Sequence, residues 1–222
     1  MSLRMARAIL VFLFRLFCRI EFHGQENIPS FGPVLVVSNH PSYLDPMTVH
    51  VGVPKRPVRW MTWNAVFRVP ILGWLVRQFG AFPVDVEGSP KGAFESSLAM
   101  LKRGEVVGIF PEGGRSYQSV MGDTRTGAIR LAVRSGAPIV PVSVAGAYRV
   151  WPKVWFLPWP GRIAVTYHPP IHFYVDHTDR GFYEKAMRQV KQTINEGIRE
   201  TCVDWHLRRV YDPTVEEIGL TV

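Results

Sequence analysis

Two short stretches carry residues whose types and spacing suit proton transfer and anion binding. In "VVSNHPSYLDP" (36–46) a run of strand-type residues gives way to His40, then to Asp45 five positions on, with Pro41 directly after the histidine. Proline disfavours the α conformation in the residue before it, so His40 is expected to sit extended at a strand end. Proline also suits the first position of a helix, which places Asp45 in a first helical turn. Within a regular helix a five-residue offset would hold two side chains about 140° apart. Standing outside the helix, the His40 ring is free to turn back and meet the carboxylate. An aspartate bonded to one imidazole nitrogen fixes the tautomer and makes the other nitrogen a better proton acceptor, which is a general base with its orienting group.

The second stretch is "IFPEGGRS" (109–116). The pair Gly113–Gly114 lets backbone approach a ligand closely. Arg115 is a forked, permanently charged donor suited to phosphate. Glu112 is suited to accepting hydrogen bonds from hydroxyls or to holding the arginine. Either stretch alone is weak evidence, because an H-x4-D pair and a charged strand-to-helix turn both arise by chance. What is missing narrows the chemistry. No serine or cysteine lies in a G-x-S-x-G elbow, so a covalent intermediate has no evident carrier. There is no P-loop, no G-x-G-x-x-G after a strand and no metal-ligand cluster, so neither a metal nor a cofactor is expected. A base without a protein nucleophile must activate a substrate hydroxyl or a water.

The elements that must position these residues are legible as an alternation. Strands are expected at 33–38, 58–63, 81–86, 106–110, 137–146 and 162–171. Between them fall a short helix or turn at 45–53, an apolar helix at 65–80 broken by Pro70, an amphipathic helix at 90–104 closed by Gly104, and a helix at 126–136. A long amphipathic helix follows over roughly 179–200. The alternation predicts an α/β fold, a mostly parallel mixed sheet flanked by helices, in one domain over 21–222. Ligands in such folds bind beyond the carboxyl ends of the strands. Both stretches directly follow strands, which puts them on one edge. The apolar helix 64–79 is a candidate wall for an apolar ligand.

Composition bears on partners. Of 222 residues, 26 are Lys or Arg against 18 Asp or Glu, a net charge of +8, which favours anionic partners. Residues 1–20 are expected to form a separate interfacial helix. Their central uncharged run, "AILVFLF" (8–14), is too short to span a bilayer, which takes about 20 residues. On a helical projection Arg4, Arg7, Arg15 and Arg19 fall within a sector of about 120°, with apolar side chains around the rest. Such a helix lies in a membrane surface with its guanidinium groups among lipid phosphates. The aromatic and basic stretch "AYRVWPKVWFLPWPGR" (147–162) has the composition of a membrane-interface belt. Nucleic acid is not expected as a partner, since the basic residues are scattered and no binding motif is present. Cys18 and Cys202 show no disulfide framework.

Over roughly residues 20–165 the chain resembles the glycerolipid acyltransferases of the 1-acylglycerol-3-phosphate acyltransferase type. The blocks that carry the resemblance are "NHPSYLDP", "FGAFPVD", "GIFPEGGRS" and "RTGAIRLAVRSGAPIVPVSVAG", in order and at plausible spacings. It implies that His40 and Asp45 are the catalytic dyad and that Glu112, Gly113, Gly114 and Arg115 bind a glycerol phosphate. It implies an acyl-CoA or acyl carrier protein donor, a lysolipid acceptor, and a peripheral or monotopic place on the cytoplasmic face of a membrane. Three positions differ from the family pattern. Val86 follows "GAFPVD" where an arginine is usual, Gly114 replaces the threonine of "EGTR", and "TWNAVF" (62–67) lacks the lysine of stretches like "AKKEL". Arg125 is a candidate to replace one lost charge. A lysophospholipid or lyso-ornithine lipid is the alternative acceptor, and thioester hydrolysis the alternative reaction.

Overall fold

Valine and isoleucine dominate 34–38, 106–109 and 139–145, and every residue in these runs is buried, as in parallel strands covered on both faces. In the computed structural model, which describes residues 18–53, 56–78, 80–84, 90–153, 159–174 and 181–205 together with Met5 and Phe12, these runs form the centre of a seven-stranded sheet. In chain order the elements are β1 (Cys18–His23), β2 (Val34–Ser38), α1 (Asp45–Gly52), β3 (Val58–Trp63), α2 (Pro70–Gln78), β4 (Phe82–Val84), α3 (Pro90–Lys102), β5 (Val106–Ile109), α4 (Gly127–Ser135), β6 (Ile139–Ala145), α5 (Ala147–Val150), β7 (Gly161–Tyr167) and α6 (Phe182–Asp204). The strand order is β1-β7-β6-β2-β5-β3-β4. Every pairing is parallel except β6 with β7.

Successive strand residues point to opposite faces, and the core divides accordingly. Leu35 and Val37 of β2 join Val107 and Ile109 of β5 under α3, α4 and α6. Val34 and Val36 face the other way, packing with Val140, Val142 and Ile163 beneath α1 and α5. Because β2, β3, β5 and β6 run parallel, the segments that leave their carboxyl ends gather on one edge of the sheet.

Several expectations need correction. The strand β1 begins at Cys18, where a helix was expected through residue 20 and a boundary near 21. Residues 18–23 pair in parallel with β7, a partner some 140 positions away that no local pattern announces. Arg19 therefore belongs to a strand and leaves the arginine sector of the proposed N-terminal helix. Apart from Met5 and Phe12, which are helical and exposed, that helix lies outside the described residues. Pro70 does not break a helix. It begins α2, after a 3₁₀ turn at Asn64–Arg68. The strand expected at 162–171 ends at Tyr167 and runs antiparallel to β6. Helix α1 begins at Asp45 rather than at Pro41. Val86 lies outside the described residues. No described helix is long and apolar enough to cross a membrane.

The carboxyl end of α1 is tied to the sheet by Tyr167, whose buried hydroxyl donates to the Val49 carbonyl at 2.6 Å. Tyr167→Phe leaves that carbonyl without the hydroxyl, at a cost of about 1–2 kcal/mol. Differential scanning calorimetry should show the melting temperature lower by a few degrees. An unchanged melt would mean the bond contributes nothing to holding α1.

Candidate active site

The site is built where β2 and β5 end side by side, with Val37 level with Ile109. At the end of β2 the main chain leaves the sheet, and the side chain of buried Asn39 takes over the ladder. Its Nδ2 donates to the Val144 carbonyl and its Oδ1 accepts the Val144 N–H, both at 2.9 Å. This bidentate grip on β6 releases His40 toward the loop after β5. There the His40 N–H donates to Glu112 Oε1 at 2.9 Å, and the His40 carbonyl accepts from the Ser116 N–H at 2.8 Å. The two sequence motifs are therefore joined through the main chain of the histidine.

The His40 side chain meets Asp45 as expected, with Nδ1 2.8 Å from Oδ2. Asp45 is fully buried, whereas 16% of the His40 side chain is exposed, enough for a substrate to reach the ring. With Asp45 ionised, Nδ1 carries the proton and Nε2 presents its lone pair. Asp45 is held from behind by the Ser42 N–H, which donates to the same Oδ2 at 2.7 Å. The Ser42 hydroxyl in turn accepts from the Leu44 N–H and donates to the Trp151 carbonyl. Ser42 and Asp45 thus brace the turn that leads into α1 through two side-chain bonds to main-chain amides. Burial pushes the Asp45 carboxyl above its usual range, and the hydrogen bond from His40, its charge, the Ser42 amide and the Arg115 charge oppose this.

Glu112 does not hold Arg115. Its Oε1 takes the His40 N–H and its Oε2 takes the Gly122 N–H at 3.1 Å. Burial raises its pKa as well, against the pull of those two amides. Gly113, at φ 75°, makes the tight turn that only glycine adopts readily. The Arg125 guanidinium lies across Gly113, with Cζ 3.5 Å from where a Cβ would stand. Gly114 is exposed beside it. Arg115 lies over the Tyr43 ring, with Cζ 3.5 Å from its centroid. The structure thus brings His40, Asp45, Glu112, Gly113, Gly114, Arg115 and Arg125 to one place.

Among the described residues, three buried side-chain polar atoms lack a hydrogen-bond partner: Asp45 Oδ1, Arg115 Nη1 and Trp60 Nε1. Such atoms are costly, and two of the three belong to this site. Arg115 Nη1 leaves an unused N–H for an anionic group. Three contributors escaped the sequence: Tyr43 under Arg115, and Phe110 and Trp60 behind His40. The imidazole stacks on Phe110 at 3.9 Å, and Phe110 stacks on Trp60 at 4.5 Å. Aromatic residues in apolar runs look like core from sequence, and here they are also the site's back wall. No group of three or more His, Cys, Asp or Glu among the described residues is placed to hold a metal ion.

An imidazole with its orienting carboxylate beside a guanidinium, at the carboxyl edge of an α/β sheet, is an arrangement able to take a proton from a hydroxyl next to an anionic group. The chain belongs to the acyltransferase family, whose model matches residues 19–145. It is 32% identical over 162 residues to a chloroplastic 1-acyl-sn-glycerol-3-phosphate acyltransferase of Arabidopsis thaliana, covering 70% of this chain and 44% of that protein. Proteins of the same name from Bacillus subtilis and Pseudomonas aeruginosa are 29% identical over 127 residues and 30% over 191. Those matches cover 57% of this chain and 63% of the Bacillus protein, and 84% of this chain and 70% of the Pseudomonas protein. The chain thus spans less than two thirds of the Arabidopsis and Bacillus relatives. The fold is that of the crystal structure of the 1-acyl-sn-glycerophosphate acyltransferase PlsC from Thermotoga maritima, with a TM-score of 0.73 at 24% identity over 89% of this chain and 79% of that one.

Asp45→Asn tests the carboxylate in two ways. The amide no longer enforces the tautomer, and turnover should fall by about 10³–10⁴-fold. A carboxyl with a folded-state pKa above its unfolded value contributes most to stability below the unfolded value, and that contribution falls as pH rises through the folded one. The variant lacks this loss, so urea unfolding should show its stability improving relative to the native chain as pH rises from about 4. A stability difference independent of pH would mean that Asp45 ionises without cost.

Proposed function

We propose that the protein transfers a fatty acyl group from an acyl thioester to the free hydroxyl of a lysolipid at a membrane surface, with 1-acylglycerol-3-phosphate as the acceptor and phosphatidic acid as the product. The observation that carries this is the His40–Asp45 pair, joined through the His40 carbonyl and the Ser116 N–H to the loop that carries Arg115, whose buried Nη1 lacks a hydrogen-bond partner. The names of the relatives support the same acceptor. His40 Nε2 takes the hydroxyl proton as the acceptor oxygen attacks the thioester carbonyl. The tetrahedral intermediate collapses, the carbon–sulfur bond breaks, and the imidazolium returns its proton to the departing thiolate. Backbone N–H groups near the Gly113 turn are candidates to stabilise the oxyanion. Arg115 and Arg125 hold the acceptor phosphate, and Glu112 keeps His40 in place while its remaining lone pairs face the glycerol. Gly113 and Gly114 let that headgroup approach the backbone.

The donor is acyl-CoA or acyl carrier protein, and no cofactor is required. Exposed aromatics and cations at the carboxyl edge suit a lipid surface. Tyr117 is 62% and Trp159 63% exposed, Lys153 lies 4.1 Å from the Tyr117 ring, and Tyr43 packs with Trp151. The N-terminal helix would add to this contact and keep the enzyme on the cytoplasmic face, peripheral or monotopic. Val69 and Trp74, exposed at and within α2, offer an apolar surface to the acyl chain. A second acceptor class deserves a place in the assay, because Val86 and Gly114 stand where the family pattern has Arg and Thr. With fewer cations, a lysophospholipid or lyso-ornithine lipid would suit the crevice.

The test is a panel of lysolipids incubated with an acyl thioester, with products identified by mass. His40→Ala should reduce transfer by about 10²–10⁴-fold with lysolipid binding retained. Arg115→Ala should raise the KM for 1-acylglycerol-3-phosphate while leaving that for the thioester unchanged. Full activity without His40 would refute the dyad, and an unaltered acceptor KM would place the headgroup elsewhere.

A further inference from the structure

The bond to Asp45 fixes one nitrogen of His40 but leaves the ring able to rock about the Nδ1···Oδ2 line. What stops that rocking is a stack of flat groups that begins on a glycine. Trp60 of β3 stands level with Gly108 of β5 in the parallel register. A Cβ at 108 would lie 2.6 Å from Trp60 Cε3 and Cζ3, so the indole occupies the space a side chain would need. Phe110, one residue past the end of β5, packs on the same side of the sheet as Trp60. Its ring lies on Trp60 with planes 11° apart, and the His40 imidazole lies on Phe110 with planes 16° apart. Trp60 is only 2% exposed, so the base of the stack is anchored in the core.

We propose that Phe110, backed by Trp60 over Gly108, is a positioning residue that sets the plane of the His40 ring and so the direction of its Nε2 lone pair. The consequence for catalysis rests on the acyl-transfer reading above, but the stack does not. With one ring face covered, the acceptor hydroxyl must approach along the edge or the open face. When His40 takes the proton, the resulting imidazolium lies on the electron-rich face of Phe110, which favours the charged form. The stack therefore contributes more after proton transfer than before it, and its loss should lower kcat rather than raise KM.

The experiment has one arm independent of activity. Histidine-labelled protein is examined by NMR, with the His40 ring signals assigned by their loss in His40→Ala. Ring currents from Phe110 should move those signals upfield, and Phe110→Leu should return them to the ordinary range. In acyl transfer Phe110→Leu should lower kcat roughly tenfold or more with both KM values within about twofold, and Phe110→Tyr should restore it. Gly108→Ala, which displaces Trp60 without altering His40 or Phe110, should reproduce part of the loss. Trp60→Phe serves in its place should that variant not fold. Ordinary His40 signals in the native protein would overturn the stack. Displaced signals with an unchanged kcat in Phe110→Leu would overturn its role. Displaced signals in a native protein that transfers no acyl group would refute the acyl-transfer reading, and the catalytic role with it, while the geometry stood.

Discussion

Both main-chain polar groups of His40 are satisfied by the loop that follows β5, the N–H by Glu112 and the carbonyl by the Ser116 amide. This joint is the constraint on which the site depends. It ties His40 to the loop that carries Arg115, so imidazole and cation cannot drift apart without breaking partly buried hydrogen bonds. It also explains a second acidic residue beside the dyad. Glu112 bridges two main-chain amides, from His40 and from Gly122, and so closes the loop around the histidine. Parallel pairing of β2 and β5 makes the joint possible, because their carboxyl ends emerge side by side.

The energetics of the site run against stability. Asp45 places a carboxyl in the core with one oxygen unpartnered, and burial works against its charged form. Part of that cost is offset locally, because the carboxylate also accepts the Ser42 N–H and so braces the turn that leads into α1. One residue thereby orients the base and shapes the turn that holds it. The lysine and arginine count of the whole chain says little about this site, where two guanidinium groups and their placement over Tyr43 and Gly113 matter.

Much of this was legible in the sequence, for identifiable reasons. The central strands β2, β5 and β6 are apolar at every position but Ser38 and Ser143, which follows from burial on both faces. The two motifs could be assigned to one edge from topology alone, since each follows a parallel strand. β1 was not legible, because "CRIEFH" continues an apolar run and its partner β7 lies far along the chain. The antiparallel turn of β7 was hidden for the same reason. The bonds of Glu112 to main-chain amides were invisible, since any acceptor of backbone N–H groups across 72 positions leaves no pattern. Phe110 and Trp60 carry the composition of core residues, and only their stacking on His40 distinguishes them.

Direct transfer from a thioester to a hydroxyl, as proposed, would never attach an acyl group to the protein. The decisive measurement follows thiol release from an acyl thioester with and without 1-acylglycerol-3-phosphate, together with the intact mass of the quenched enzyme. Thiol release that requires the lysolipid, matches acylated product one for one and leaves the protein mass unchanged is the predicted result. Thiol release without an acceptor, or a protein heavier by one acyl group, would contradict it.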